Sequence, residues 1–254
     1  MDGNATIHLD VVIGVGVAAG AWAGAWRVRG ARPRPGETAA LVIALVVLLA
    51  MLNGPVHDLS DRRLFSAHMA QHLALTLVVA PLLLIATPAW MIDAILRRAR
   101  VASLAHALTR PVPALALYTV ALVGWHLPLA YGLALEVHGW HIVQHLTLMG
   151  TAALAWWPVL GRSELAPRVP YAAQILYLFA FGLPMGAVAA MITGAATVLY
   201  PFYADAPALY GLTPFDDQRL GGVLMWVPAA VVPVIAFTVV FFRWVAAERE
   251  PETA

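Results

Sequence analysis

His68 and His72 stand four residues apart in "SAHMAQHLAL", at the head of a long apolar run. On a helix that spacing puts both imidazoles on one face. In "HGWHIVQHLTLMG", His138, His141 and His145 follow at i, i+3 and i+7, again as one stripe, and His126 lies in "VGWHLPLAYG". Neutral imidazole is the commonest metal ligand, and a thioether sulfur favours Cu(I). Met69 adjoins His68, and Met149 extends the second stripe by one turn. The chain has no cysteine, which excludes disulfides, thiolate metal sites and cysteine nucleophiles. Imidazole with thioether and no thiolate describes a copper environment, although imidazole alone also accepts zinc or iron.

The elements that must position these side chains follow from composition. Of 254 residues, 61% are hydrophobic and 11% charged, with a mean hydropathy of +0.78. Soluble domains are about half apolar and a quarter charged, so the solvent of this chain is mostly lipid. A helix needs about 20 mostly apolar residues to cross the hydrocarbon core. Seven stretches qualify, near 7–26, 38–56, 64–87, 112–132, 138–160, 171–199 and 219–243. The expected fold is all-α: a polytopic membrane protein, a bundle of seven transmembrane helices forming a single integral membrane domain over 1–254. The opening "MDGNATIHLD" carries Asp2 and Asp10 and no arginine, unlike a secretory signal peptide, so the first apolar segment is expected to be retained.

Every basic side chain other than histidine is arginine, and twelve of the fifteen fall in one set of alternate loops. The other set holds Arg62, Arg63 and Arg219. Cytoplasmic loops collect positive charge, so the N-terminus is expected outside and the C-terminus in the cytoplasm. With that direction His57, His68, His72, His126, His138, His141 and His145 gather at one depth near the outer face. His8 falls at the rim and His106 on the cytoplasmic side. Asp58, Asp61, Glu136, Asp205, Asp216 and Asp217 share the outer side.

Each residue also has a plainer reading. A single intramembrane histidine commonly hydrogen-bonds helix to helix, and a methionine commonly fills a gap. His57 and His138, near the interface, are open to simple solvation. Packing nevertheless gives no reason for four spans to place imidazoles at one level, whereas a metal or cofactor does. Trp90, Trp125, Trp140, Trp156 and Trp157 read as an aromatic belt. Pro81, Pro128, Pro184, Pro228 and Pro233 read as kinks. Asp216 and Asp217 read as a solvated loop pair ahead of the last span, with a metal-ligand or histidine-orienting role as the alternative.

Taken together, "HMAQH", "WHLP", the HxxxxxxH stripe with its "QH", and "DQRLGGVLMW" resemble the CtaG-like seven-span haem-copper oxidase assembly factors. The resemblance covers the chain from the second span to the seventh. It implies a non-enzymatic role in the bacterial plasma membrane, helping a cytochrome c oxidase acquire copper. The implied partners are haem-copper oxidase subunits and a periplasmic copper donor, with membrane lipid around the chain and no nucleic acid. By motif position His68, His72, His126, His141 and His145 carry the family's site. The full candidate ligand set adds Met69, Met149, His57 and His138, with Cu(I) as the expected ion and no catalytic residue.

Two other classes compete. An intramembrane zinc hydrolase would use His72, His141 and His145 with Asp216 or Asp217, but it wants a buried general base and only Asp10 lies within a span. A b-type haem protein would use paired histidines on facing helices. A transporter would show repeat symmetry or paired broken spans, and the sequence displays neither.

Overall fold

The computed structural model describes residues 7–204 and 209–249, so Asp2 and Asp205 lie outside the described residues. Among the described residues the chain is all-α, with twelve helices. α1 (Leu9–Arg29) ends at Gly30, whose φ of 67° suits a residue without Cβ. α2 (Pro35–Leu52) opens on a proline, whose missing N–H is harmless in a first turn. It stops where Asn53 becomes extended and Gly54 takes φ 67°. The expected second span therefore closes at 52 rather than 56, and a short α3 (Gly54–Arg62) turns away carrying His57 and Asp61.

The third expected span is one continuous helix with an internal defect. α4 (Phe65–Leu73) passes into a π-helical segment (Ala74–Val79) and then α5 (Ala80–Ala86). Pro81 cannot donate to the carbonyl of Leu77 and crowds it, which favours a wider turn there. The released carbonyl of Thr76 accepts the Trp156 indole N–H at 3.0 Å. Trp156 is thus a buried pin between two helices and not part of an aromatic belt.

α6 (Ala89–Arg98) and α7 (Ala102–Leu108) precede α8 (Pro111–Trp125). The fourth expected span, 112–132, is broken in the structure. Leu127 precedes Pro128 and is held extended, so α8 ends at Trp125 and α9 (Pro128–Glu136) begins anew. α10 (His138–Leu160) has the expected bounds. α11 (Tyr171–Gly194) and α12 (Pro214–Arg249) complete the chain, with a 3₁₀ turn at Pro201–Tyr203 between them.

Five helical stretches are long and apolar enough to cross a membrane: α1, α2, Phe65–Ala86, α11 and α12. The pair α7 and α8, bent by 74°, makes a sixth if taken as one span. That is fewer than the seven expected. α10 is long enough, with 23 residues, but its three imidazoles and Gln144 lower its mean hydropathy.

α11 and α12 pack together along their length, and α12 also lies on α4. α10 sits between α8 and α5, and α2 covers α5 and the π segment. Phe65, Tyr118, Leu148, Phe181 and Met225 are among the buried residues of the main apolar core. Val120, Leu176, Phe179 and Val234 point outward, a surface suited to lipid.

Candidate metal centre

Three helices bring five buried imidazoles together: His68 and His72 from α4, His126 at the end of α8, and His141 and His145 from α10. The ring centroids of His141 and His145 are 4.3 Å apart, those of His68 and His141 5.2 Å, and those of His68 and His145 5.8 Å. His72 lies 5.4 Å from both His126 and His145. One nitrogen each from His68, His141 and His145 lies within 4.8 Å of the other two. Two nitrogens sharing an ion at 2.0–2.1 Å are separated by about 3.3–4.1 Å, so a small rotation of each ring would close a site.

The nitrogens have few protein partners. Nε2 of His68 and Nε2 of His72 share one hydrogen bond at 2.8 Å, leaving both Nδ1 atoms unpartnered. Nδ1 of His126 donates to the Leu122 carbonyl at 2.7 Å, which leaves its Nε2 with a free lone pair. Nε2 of His141 and Nε2 of His145 also meet no protein partner. An unpaired buried polar group costs about 1–3 kcal/mol. Five among neighbouring rings is a large cost; the ring that accepts the His68–His72 bond keeps its proton on Nδ1, so up to four of the five are lone pairs that a cation would engage. The donor set therefore fits a metal ion, and rings packed this closely leave space for an ion rather than a macrocycle among them.

A carboxylate the sequence reading did not single out orients the outer edge. Asp61 lies 3.3 Å from Nε2 of His57 and 3.5 Å from Nδ1 of His141. The Gln71 side-chain amide donates to Nδ1 of His57 at 3.2 Å, so the His57 proton sits on Nε2 and points to Asp61. Burial, with the neighbouring His8 imidazole, pushes His57 down to about 4, so it is neutral at pH 7. Burial pushes Asp61 up to about 6 against the hydrogen bond from Ser60. A carboxylate on Nδ1–H of His141 turns the free Nε2 lone pair toward the cluster, the usual device for orienting a metal-ligating imidazole.

The other candidates separate by position. His57 is buried but has both ring nitrogens engaged. The His138 side chain is 60% exposed and lies 3.8 Å from Asp10. Met149 lines a lateral cavity of about 430 Å³ together with His57, His141 and His145. Met69 is fully buried in the apolar core beside Phe65 and beneath Gly221, one position around the helix from His68.

The profile of the cytochrome c oxidase caa3 assembly factor family matches residues 19–247. The chain belongs to that family. Two uncharacterized proteins, of Mycobacterium bovis and Mycobacterium tuberculosis, are each 24% identical to it over 257 residues. The match takes in 94% of this chain and 38% of each relative, so the chain spans about two fifths of the length of these curated relatives. No solved structure matches.

The "DQRLGG" stretch is the joint that seats the histidine helix. Asp217 is buried, which corrects the solvated-loop reading: its carboxylate accepts the backbone N–H groups of Phe65 and Ser66 and the Ser66 hydroxyl. Asp216 stays at the surface: its carboxylate accepts the Thr213 hydroxyl at 2.6 Å, while Thr213 caps the helix by accepting the Asp216 N–H at 3.2 Å. Gln218 accepts the Leu199 N–H at 2.6 Å and donates to the Thr197 carbonyl at 3.2 Å. A Cβ at Gly221 would overlap the Phe65 ring, and one at Gly222 would overlap the Thr193 hydroxyl.

Four aromatic side chains, which sequence reasoning missed, close the cluster. Tyr200 stacks on Phe65 with centroids 4.6 Å apart and donates to the His126 carbonyl at 3.0 Å. The Tyr131 ring lies 5.1 Å from His68, and Tyr203 donates to the Ser60 carbonyl at 2.6 Å. The only sequence signal was their density around the expected outer loops.

Proposed function

We propose that this chain binds copper as Cu(I) at its imidazole cluster and helps deliver it to a cytochrome c oxidase during assembly. The carrying observation is the cluster of five buried imidazoles from α4, α8 and α10, in which one nitrogen each of His68, His141 and His145 lies within 4.8 Å of the other two and five ring nitrogens lack a protein partner. Family membership supports the oxidase as the recipient system, with oxidase subunits and a periplasmic copper donor as partners. His68, His72, His126, His141 and His145 are the ligand pool, and Met149 is the thioether that shares a cavity with His141 and His145. Met69 would need its helix to rotate before its sulfur joined them. His57 and His138 line the approach. A shallow pool of low-coordinate ligands holds an ion while leaving it exchangeable, which a closed four-ligand cage does not.

In this reading α10 is a seventh span, since partner helices bury His141 and His145 and hide them from lipid. Arginine placement then sets the N-terminus outside and the C-terminus in the cytoplasm of the bacterial plasma membrane, with the metal pool toward the outer face. No catalytic step is required of the protein.

The test is elemental analysis of the detergent-purified chain, paired with oxidase activity in cells. Wild-type protein should retain copper, and a triple variant, His68→Ala, His72→Ala and His145→Ala, should lose both the copper and the oxidase activity. Wild-type copper content in a folded triple variant would refute the site.

A further inference from the structure

At the end of the bundle remote from the imidazoles lies a second cavity, of about 670 Å³. It forms where α1 ends, α2 begins and α6 crosses, with Arg162 reaching in from beyond α10. Five arginines line it: Arg29, Arg32, Arg34, Arg97 and Arg162. The acidic groups beside them are largely committed. Glu37 pairs with Arg162 at 3.0 Å and accepts the Arg34 backbone N–H at 3.0 Å. Asp93 accepts the Ser163 hydroxyl and the Glu164 backbone N–H. Among the described residues, Arg29, Arg32, Arg34 and Arg97 form no ion pair with a carboxylate. Glu37, Asp93 and Glu164 also line the cavity, so five guanidiniums face three carboxylates, and this excess of positive charge favours an anion.

The walls narrow the choice of anion. The Arg29 guanidinium lies 4.5 Å over the Trp90 ring, which packs edge-on against Trp26 at 5.3 Å. The indole N–H groups of Trp26 and Trp90 are buried and meet no protein acceptor. Pro88, Ala89 and Ala94 supply the apolar part of the wall. Guanidinium groups that recognise phosphate oxygens, indoles at headgroup level and apolar side chains beside them match the parts of a phospholipid in order.

We propose that this cavity is a binding site for the phosphate of an anionic phospholipid headgroup, held by Arg29, Arg32 and Arg97. The site does not depend on which leaflet these helix ends face, nor on metal at the other end.

The full chain, purified in detergent, is titrated with phosphatidylglycerol, with phosphatidylcholine and with inorganic phosphate, and bound ligand is counted by native mass spectrometry. Phosphatidylglycerol should bind at least tenfold more tightly than phosphatidylcholine. Replacing Arg29, Arg32 and Arg97 by Gln should weaken phosphatidylglycerol roughly a hundredfold. These side chains are exposed and make no ion pair, and the Arg29 contact with Trp90 is a surface one, so the variant should fold; a cooperative melt within a few degrees of wild type verifies this. Arg243→Gln with Arg249→Gln, outside the cavity, should change nothing. Arginine-dependent capture of inorganic phosphate with no phosphatidylglycerol preference would overturn the lipid assignment in favour of a free anion. Equal binding of both lipids, or full retention by the triple variant, would overturn the site.

Discussion

The carboxylate of Asp217 accepts the backbone N–H of Phe65 at 2.6 Å, so a residue from the last helix caps the helix that carries His68 and His72. Ser66 adds its own N–H at 3.3 Å and its hydroxyl. Leu64, at the N-cap position, has no side chain able to serve these donors. Asp217→Ala would strand them in a buried place, at about 1.5–3 kcal/mol for hydrogen bonds to a charged group. Asp217→Asn retains an acceptor and should lose less than half of that. Thermal unfolding in detergent should rank wild type above Asn and Asn above Ala, and an Ala variant melting with wild type would show that the cap does not hold α4.

Metal retention should distinguish the buried imidazoles from the exposed one. His126 and His145 are buried with a free Nε2, and losing either should weaken copper binding roughly tenfold or more. The His138 side chain is 60% exposed, and His138→Ala should leave equilibrium affinity within about twofold. Competition with a Cu(I) chelator of known affinity reads both effects. Equal losses at His126 and His138 would indicate a general disturbance in place of a defined ligand pool.

Much of this site could be read from the chain because helical period and span length are local properties. The spacing of His68 with His72, and of His141 with His145, dictated shared faces, and the bounds of α10 agree with hydropathy and punctuation. What failed was non-local. Asp61 looks like any loop carboxylate until α3, packed on α4, presents it together with His57 to His141 of α10. Asp217 looks solvated until α12 lies against α4. Tyr131, Tyr200 and Tyr203 meet only because the break at Leu127 and Pro128 sends α9 across the top of the cluster. The fourth span was misjudged for the same reason: hydropathy runs smoothly through Pro128 although the backbone cannot.

Acid should weaken the site in a step that belongs to Asp61. Burial raises its carboxyl to about 6, so it is charged above that pH and neutral below it. The charged form attracts a cation and pulls the Nδ1–H of His141, leaving Nε2 free to bind; the neutral form does neither. Metal affinity should therefore hold from pH 8 to about 6 and fall as the carboxyl protonates. Asp61→Asn should be weaker already at pH 7 and should lack that step, with only the steeper loss from imidazole protonation at lower pH. Superimposable pH profiles for the two proteins would remove Asp61 from the site.

Adjacent glycines on α12 should separate stability from metal binding. A methyl at Gly221 overlaps the Phe65 ring and comes within 3.2 Å of Cγ of Met69. Phe65 cannot swing aside, because Tyr200 stacks on it and is itself tied to the His126 carbonyl. Gly221→Ala must therefore push α4 outward, at about 1–3 kcal/mol for overpacking, and it moves His68 and His72 away from α10. At Gly222 the overlap is with Thr193 of α11, on a face that carries no imidazole. Gly222→Ala should cost a similar amount of stability while copper affinity per folded molecule stays near wild type. The comparison isolates geometry from folding: if both variants lose affinity equally, the imidazole cluster responds to stability in general, and the seating of α4 by α12 is not what sets its spacing.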